Sequence, residues 1–172
     1  MCRDIAVIVL EDILYRTQSF ERAFHNCISG RKLADRDKAF AYQVILTTLR
    51  RLGQIDNIIE HCLERPLPNK ASGAKTILRI GVSQLLFLNV PPHAAVNTSV
   101  DLAHTRKLGP YKNMINAVLR RVEREGSRII GSHDVAKLNT PQWLWDSWIT
   151  TYGKDICYRI ANAHLSQPPL DL

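Results

Sequence analysis

Apolar residues recur every three or four positions through most of the chain, and this spacing predicts α-helices rather than β-strands. No convincing run of residues alternates apolar and polar side chains in the manner of a half-buried strand. The pattern therefore predicts an all-α protein. The predicted helices cover residues 3–17, 19–28, 36–51, 54–64, 71–89, 93–106, 111–125, 141–152 and 154–165.

The fifth predicted helix, 71–89, is apolar on most of its faces, which is typical of a helix at the centre of a bundle. Gly81 lies within it, although glycine lowers helix propensity, so we expect Gly81 to let a neighbouring helix approach closely. Asp35 is a plausible N-cap of the third helix, because its carboxylate could accept free N–H groups of the first turn. Gly126 is a plausible C-terminal stop of the seventh helix.

The chain divides into three parts by composition. Residues 1–126 contain the long helical segments. The composition shifts at Gly126-Ser127 and Gly131-Ser132, which predicts a linker over residues 127–133. Residues 134–172 form a short helical connector in this interpretation. It ends in Gln167-Pro168-Pro169-Leu170, where two prolines force extended backbone. We expect that ending to lead into a further domain.

Positive charge is concentrated in the middle of the chain. The net charge of +7 divides into +1 over residues 1–65, +6 over 66–126 and zero over 127–172. A local excess of Lys and Arg favours a polyanionic partner, because each neutralised phosphate releases counterions. A basic surface that only promotes solubility is an equally good explanation of the charge alone.

Sequence motifs for catalysis are missing. The chain has no GxxxxGK[ST] loop, no GxSxG elbow and no HExxH pair, so no catalytic, cofactor-binding or metal-binding residue is predicted. Its four cysteines are far apart and none forms CxxC, which favours reduced thiols in a cytoplasmic protein. Prolines and polar residues interrupt the uncharged stretch 80–100, so we expect no membrane span.

Basic side chains remain as the candidate chemistry. On the third predicted helix, continued at the same pitch to Gln54, the side chains of Arg36, Gln43, Thr47, Arg50 and Gln54 fall within about 60° of one another at 3.6 residues per turn. Arginines in such a stripe can hold phosphates through paired hydrogen bonds.

A second basic face is predicted on the seventh helix and the turn before it. Ion pairing within the helix, for example between Arg121 and Glu125, is the alternative there. Spacing alone favours neither interpretation. Together the two helices give the candidate RNA-binding residues Arg36, Lys38, Arg50, Arg51, Lys107, Lys112, Arg120, Arg121 and Arg124.

Three motifs carry a family resemblance. They are Arg36-Asp37-Lys38-Ala39-Phe40 with the later Leu49-Arg50-Arg51, the stretch from Leu78 to Ala103 through Pro91-Pro92-His93, and Asn116-Ala117-Val118-Leu119-Arg120-Arg121. In this order they resemble the NusB-type RNA-binding domain, in the version found at the N-terminus of RsmB/Sun ribosomal RNA methyltransferases.

The resemblance implies a bundle of two packed subdomains, helices one to four and five to seven. It also implies binding to structured or single-stranded RNA, often beside a protein partner. Two departures stand out. Thr47 occupies a position where the family usually has glycine, and Arg3 alone represents the arginines that precede helix one in stand-alone NusB.

Two kinds of family member are possible. Stand-alone NusB is a transcription antitermination factor that works with a ribosomal protein. The methyltransferases add a helical connector and a catalytic domain. Pro141-Gln142-Trp143-Leu144 and Gln167-Pro168-Pro169-Leu170 resemble the connector and the start of the catalytic part, so we favour the methyltransferase.

The resemblance implies a particular reaction for the longer protein. Its catalytic part uses two cysteines, and a glycine-rich loop that binds S-adenosylmethionine, to methylate carbon 5 of a cytosine in 16S ribosomal RNA. Neither the cysteine motif nor the glycine-rich loop occurs in this chain. We therefore expect a substrate-positioning RNA-binding module whose partners are 16S RNA and a methyltransferase domain of the same chain. A structural docking domain that uses Trp143, Trp145 and Trp148 is a third hypothesis.

Overall fold

A computed structural model of the protein describes residues 2–166, and within that range it contains helices and no strands. The all-α prediction is confirmed. The predicted ending Gln167-Pro168-Pro169-Leu170 lies outside the described residues. The helices are α1 Cys2–Arg16, α2 Phe20–Ile28, α3 Asp35–Arg50, α4 Leu52–Cys62, α5 Ser72–Phe87, α6 Pro92–Thr105, α7 Lys112–Gly131, α8 Val135–Leu138, α9 Gln142–Tyr152 and α10 Lys154–Leu165.

The central position of α5 is the main feature of the bundle. This helix packs against α1, α3, α4, α6 and α7, and Ile77, Leu78, Ile80 and Val82 are all inaccessible to solvent. A helix that is apolar on most sides is stable only when neighbours cover each side. The prediction of a buried central helix is therefore confirmed.

Gly81 has the role predicted for it. A Cβ added there would lie 2.6 Å from Cδ2 of Leu119 on α7 and 3.2 Å from the hydroxyl of Ser99 on α6. The missing side chain thus allows α6 and α7 to approach α5 closely.

One apolar core joins both halves of the bundle. It extends from Ile5 in α1 to Ile129 in α7, and α4 contributes to it by packing against α5 and α7. Helices one to four and five to seven therefore meet along a continuous interior.

Two predicted helix ends are wrong. Gly126 does not end α7, which continues to Gly131, so most of the predicted linker 127–133 is helical. Gly126 is buried against Leu86 of α5, and Ile129 lies in the core one turn later, so the apolar face of α7 extends past the glycine.

The predicted N-cap of α3 is also wrong. Ala34 occupies the cap position with extended backbone, and its carbonyl accepts the N–H groups of Asp37 and Lys38. Asp35 is instead the first helical residue, and its carboxylate lies 3.1 Å from the Lys38 ammonium. A carboxylate in the first turn still stabilises the helix through the macrodipole.

The connector has a small core of its own. α9 and α10 form a hairpin that turns at Gly153, whose φ is +77°. Trp145 is buried there and packs edge-on against Tyr158. Trp148 is half-buried, whereas Trp143 is 71% exposed, so the three tryptophans do not form one docking patch.

Candidate nucleic-acid interface

The outer face of α3 carries the first predicted stripe. Arg36 and Gln43 are exposed and Arg50 is half-buried, at intervals of seven residues or about 10 Å along the helix. Neither Arg36 nor Arg50 has a carboxylate within ion-pair distance in the described part of the chain. Both guanidinium groups are therefore free to contact phosphates.

Gln54 does not belong to this stripe, and its predicted place was wrong. The chain leaves α3 after Arg50 and turns at Arg51 into α4, where Gln54 is fully buried. Thr47, another predicted member, is half-buried on the flank of α3.

Arg51 is held against the end of α5. Its guanidinium lies 4.6 Å from the centre of the Phe87 ring, and its Nη1 donates a hydrogen bond of 3.0 Å to Oε1 of Gln54. Burial lowers the pKa of this guanidinium from its ordinary value. Arg51 therefore lies at the end of the α3 stripe with its side chain fixed by stacking and hydrogen bonding.

Arg3 is a similar residue that the candidate set lacks. Its guanidinium lies 5.1 Å from the centre of the Phe40 ring on α3, and its Nε donates a 2.6 Å hydrogen bond to Oε1 of Gln84 on α5. Phe40, within the Arg36–Phe40 motif, was the only sequence signal for such a pair. The contact joins the first helix to the third and could not be derived from spacing along the chain.

Lys38, the remaining α3 candidate, is paired with Asp35 at the helix start. Asp35 is almost fully exposed, and exposed ion pairs contribute little stability. The ammonium can therefore exchange this partner for a phosphate at small cost.

Ion pairs occupy most of the arginines predicted on α7. Arg120 pairs with Glu123 at 3.0 Å, and Arg121 pairs with Glu125 at 3.2 Å. Arg124 is exposed and has no such partner among residues 2–166. The alternative of internal ion pairing thus describes two of the three arginines.

Lys107 and Lys112 are exposed at the other end of α7. Lys107 follows α6 in the left-handed region with φ of +58°, and Lys112 is the first residue of α7. Twelve residues separate Lys112 from Arg124, which is about 18 Å along the helix axis.

The two predicted basic faces lie on different flanks of the bundle. α3 packs mainly against α1 and α5, whereas α7 packs against α4, α5 and α6. Since α4 lies between them, the α3 and α7 candidates do not form one continuous stripe.

Long-range ion pairs redistribute the charge that the sequence concentrates in residues 66–126. Arg79 forms a two-point pair with Asp56 at 2.7 Å for each bond, and Lys75 lies 3.1 Å from the same carboxylate. Arg106 binds Asp4 and Glu11, both at 2.8 Å. Acidic groups of residues 1–65 thus neutralise cations of the middle segment.

The surplus of unpaired cations consequently shifts toward the N-terminal half. In residues 1–65 eight of the ten Lys and Arg side chains have no ion pair, whereas only four of the nine carboxylates have none. In residues 66–126 four of the nine Lys and Arg side chains are unpaired, and one carboxylate is unpaired. These counts cover the described residues. They indicate a cationic surface on α2, α3 and the loop between them, which the net charge of +1 over residues 1–65 does not reveal.

A groove of about 800 Å³ between α1, α4 and the start of α5 is a weaker candidate. Its deepest cation is Arg79, whose guanidinium is already bound by Asp56 and by the hydroxyl of Tyr15 at 3.1 Å. Glu60 and Glu64 line the rim. The groove therefore offers no deep free cation for a phosphate.

The cysteines are mostly buried in the described part of the chain. Cys27, Cys62 and Cys157 are buried, and burial raises the pKa of the Cys27 and Cys62 thiols above its ordinary value. Residues 2–166 contain no group of three or more His, Cys, Asp or Glu side chains placed to hold a metal ion. In the same range, every helix is too short or too polar to cross a membrane.

The helical bundle around a buried central helix, with a cationic face on α3, defines an all-α domain of the RNA-binding type. The model of the NusB family matches residues 2–124, and the chain therefore belongs to the NusB family.

Similar proteins extend the match beyond that domain. The chain is 29% identical to a probable ribosomal RNA small subunit methyltransferase B from Synechocystis over 99% of its own length. It is 27% identical to ribosomal RNA small subunit methyltransferase B from Cronobacter sakazakii, and 29% identical to that of Salmonella paratyphi C, over 98% of its length. It spans about two fifths of the length of these relatives.

Proposed function

We propose that this chain is the RNA-binding and substrate-positioning part of a small-subunit (16S) ribosomal RNA cytosine-C5 methyltransferase. The observation that carries the proposal is the stripe of two arginines on α3, Arg36 and Arg50, which have no ion pair within the described residues and lie on a domain of the NusB family. The relatives named as methyltransferases match the connector as well as the bundle, because the similarity covers almost the whole chain.

In this proposal α3 holds the RNA by its phosphates. Arg36 and Arg50 supply two-point hydrogen bonds about 21 Å apart along the helix, and Gln43 supplies a neutral contact between them. Arg51 and Arg3 present guanidinium groups that stacking on Phe87 and Phe40 already orients. Fixed donors lose less entropy on binding than free ones.

Lys107, Lys112 and Arg124 belong to a separate, secondary contact in this proposal. They lie on another flank of the bundle, and only a bent or folded RNA could reach both α3 and α7. Arg120 and Arg121 would contribute after giving up their glutamate partners.

The methyl transfer itself is assigned to a methyltransferase domain of the same protein. S-adenosylmethionine would supply the methyl group there. The cysteines of this chain do not fit the catalytic pair, since three of the four thiols are buried and burial raises the pKa of two of them. A cytoplasmic location follows from the same proposal, because ribosomal RNA is the substrate.

A stand-alone antitermination factor is the less supported alternative. The relatives that match 98–99% of this chain bear the name of a methyltransferase. A docking role for the tryptophans is weaker still, because Trp145 is a core residue of the connector.

The proposal is tested by removing charge from α3 and measuring affinity for a 16S ribosomal RNA segment at several salt concentrations. The double variant Arg36→Gln, Arg50→Gln should weaken binding and reduce the slope of log Kd against log salt by about one to two units. The variant Lys112→Gln, Arg124→Gln should have a smaller effect.

The matched control is Arg65→Gln with Lys154→Gln, which removes the same charge from two exposed positions away from α3. It should leave affinity and slope close to those of the unchanged chain. Equal losses in the α3 and control variants would show a non-specific field, and no loss in the α3 variant would remove α3 from the interface.

A further inference from the structure

An aromatic cluster with one exposed ring joins α2 to α3, about a quarter to a third of a turn around α3 from the arginine stripe. Tyr42 is 44% exposed, and Phe20 and Phe24 of α2 contact its ring edge-to-face at centroid distances of 5.1 and 5.5 Å. The two phenylalanine rings also stack on each other at 5.6 Å. We call these three residues the Tyr42 cluster.

The packing fixes the Tyr42 ring without covering it. Edge-to-face contacts between aromatic rings each contribute about 0.5–1.5 kcal/mol beyond the area that they bury. Two such contacts restrict the side chain, and almost half of its surface still faces solvent. The exposed ring is therefore a preformed apolar surface.

Lys38 supplies positive charge on the same face of α3. It lies one turn before Tyr42 and is paired with the exposed Asp35, whereas Arg36 and Arg50 lie on the neighbouring stripe. Arg31 and Lys32, in the loop between α2 and α3, are exposed and have no ion pair within the described residues. A ligand at Tyr42 would therefore meet the Lys38 ammonium on the same helix face.

We propose that the Tyr42 cluster stacks an unpaired base of a single-stranded RNA segment whose phosphates the α3 stripe holds. The inference rests on the proposed function and deepens it by naming the residues on which a base stacks. Bases of a duplex are stacked on each other, whereas unpaired bases can stack on aromatic side chains. An exposed planar ring with Lys38 on the same helix face and the arginine stripe on the next face matches a ligand with planar bases and anionic phosphates.

A protein partner fits the cluster less well. Stable protein interfaces bury about 800 Å² on each side, and lysine is depleted in them. Tyr42 is the only exposed ring of the three, and 44% of one side chain is far less than such a surface. The small exposed area therefore favours a single planar base over a protein.

The experiment compares Tyr42→Leu and Tyr42→Phe with the unchanged chain on three probes of equal length: a single-stranded oligoribonucleotide, its duplex, and a single strand with abasic sites in its centre. Stacking of one base on an aromatic ring corresponds to a change in affinity of about 5-fold or more. Tyr42→Leu should lose that factor on the single strand, whereas Tyr42→Phe should bind normally.

The abasic strand separates stacking from damage to the fold. Tyr42→Leu should bind it as well as the unchanged chain does, because the phosphates are still present. Equal loss on the intact and abasic strands would overturn the proposal, and so would unchanged affinity of Tyr42→Leu for the intact strand, which is the result expected if a protein docks there.

A second measurement uses the unchanged chain and needs no folded variant. Photo-crosslinking to a single strand that contains 4-thiouridine should place an adduct on Tyr42 or on Phe20 or Phe24. Adducts confined to other segments would overturn the stacking proposal while leaving the proposed function intact. Absence of any RNA binding by the unchanged chain would overturn both.

Discussion

Gly53 on α4 lies directly against the backbone of Leu138 at the end of α8. A Cβ at residue 53 would overlap the carbonyl oxygen of Leu138, so the two backbones are in direct contact. The next residues form reciprocal hydrogen bonds: the Gln54 N–H donates to Asn139 Oδ1 at 3.0 Å, and Asn139 Nδ2 donates to Gln54 Oε1 at 3.1 Å. The connector is thereby joined to the NusB-family bundle at one close junction.

Gly53→Ala should separate the connector from α4. Because the added methyl group meets backbone atoms rather than a flexible side chain, α8 must move, and we expect a loss of about 1–3 kcal/mol in the free energy of unfolding. Amide hydrogen exchange should accelerate in α8 and the hairpin after it. Gly131→Ala is the matched control, since nothing lies within 4 Å of its added Cβ. Identical exchange rates in the two variants would contradict this account of the junction.

Asn139→Ala should loosen the first turn of α4. That helix has no side-chain cap of its own, since Arg51 occupies the cap position without capping, and Asn139 supplies an acceptor from outside the helix. Loss of a capping side chain costs about 1 kcal/mol, and the Gln54 amide proton should exchange faster with solvent. Asn162→Ala, at an exposed position of α10, should change neither quantity. A protected Gln54 amide in Asn139→Ala would refute the capping role.

The helices could be predicted because their signal is local. Spacing of apolar residues along 71–89 was enough to recognise α5 as the central helix, and the cost of Gly81 in a helix pointed to close packing. The end of α7 could not be predicted, because a glycine such as Gly126 is typical of a helix C-terminus. Its true environment depends on Leu86, forty residues earlier in the chain.

The candidate site was predictable only in part, for the same reason. Arg36 and Arg50 share a face by helix geometry, which spacing reveals. The pairing of Arg106 with Asp4, 102 residues apart, is a property of the fold, and it changes which cations are available. The aromatic contacts of Tyr42 with α2 also arise only when two helices meet.

Gly81→Ala should destabilise the bundle and Gly126→Ala should not, although both glycines are buried in helices. Alanine favours a helix over glycine by about 1 kcal/mol. At Gly81 the new Cβ would meet the fully buried Leu119, which has no room to move, so overpacking should outweigh that gain. At Gly126 it would meet the end of the half-buried Leu86 side chain, which can rotate away.

Chemical denaturation measures the difference between those two variants. We expect Gly81→Ala to lower the free energy of unfolding by about 1–2 kcal/mol and Gly126→Ala to leave it unchanged or to raise it slightly. Equal destabilisation by both substitutions would show that the α5–α7 contact tolerates neither methyl group and that Leu86 is as rigid as Leu119.

Asp56→Asn should destabilise the bundle strongly at neutral pH and weakly in acid. Asp56 is the two-point partner of Arg79, which is only 7% exposed, and removal of one partner from a buried ion pair costs about 3 kcal/mol or more. Burial alone would raise the pKa of Asp56, but hydrogen bonds and positive charge from Arg79 and Lys75 outweigh it, so the pKa lies below its ordinary value.

The sign of the pH dependence follows from that lowered pKa. The unfolded carboxylate titrates near pH 4, so the ion pair contributes its full stability above that pH and loses it as the pH falls through the lower folded pKa. Urea denaturation should therefore give a constant difference between the unchanged chain and Asp56→Asn from pH 5 to pH 8, and a shrinking difference below about pH 4. Asp12→Asn, which breaks the pair with the exposed Arg16, should cost under about 1 kcal/mol throughout. A difference for Asp56→Asn that stays constant in acid, or that matches Asp12→Asn at pH 7, would show that the Arg79 pair does not stabilise the fold.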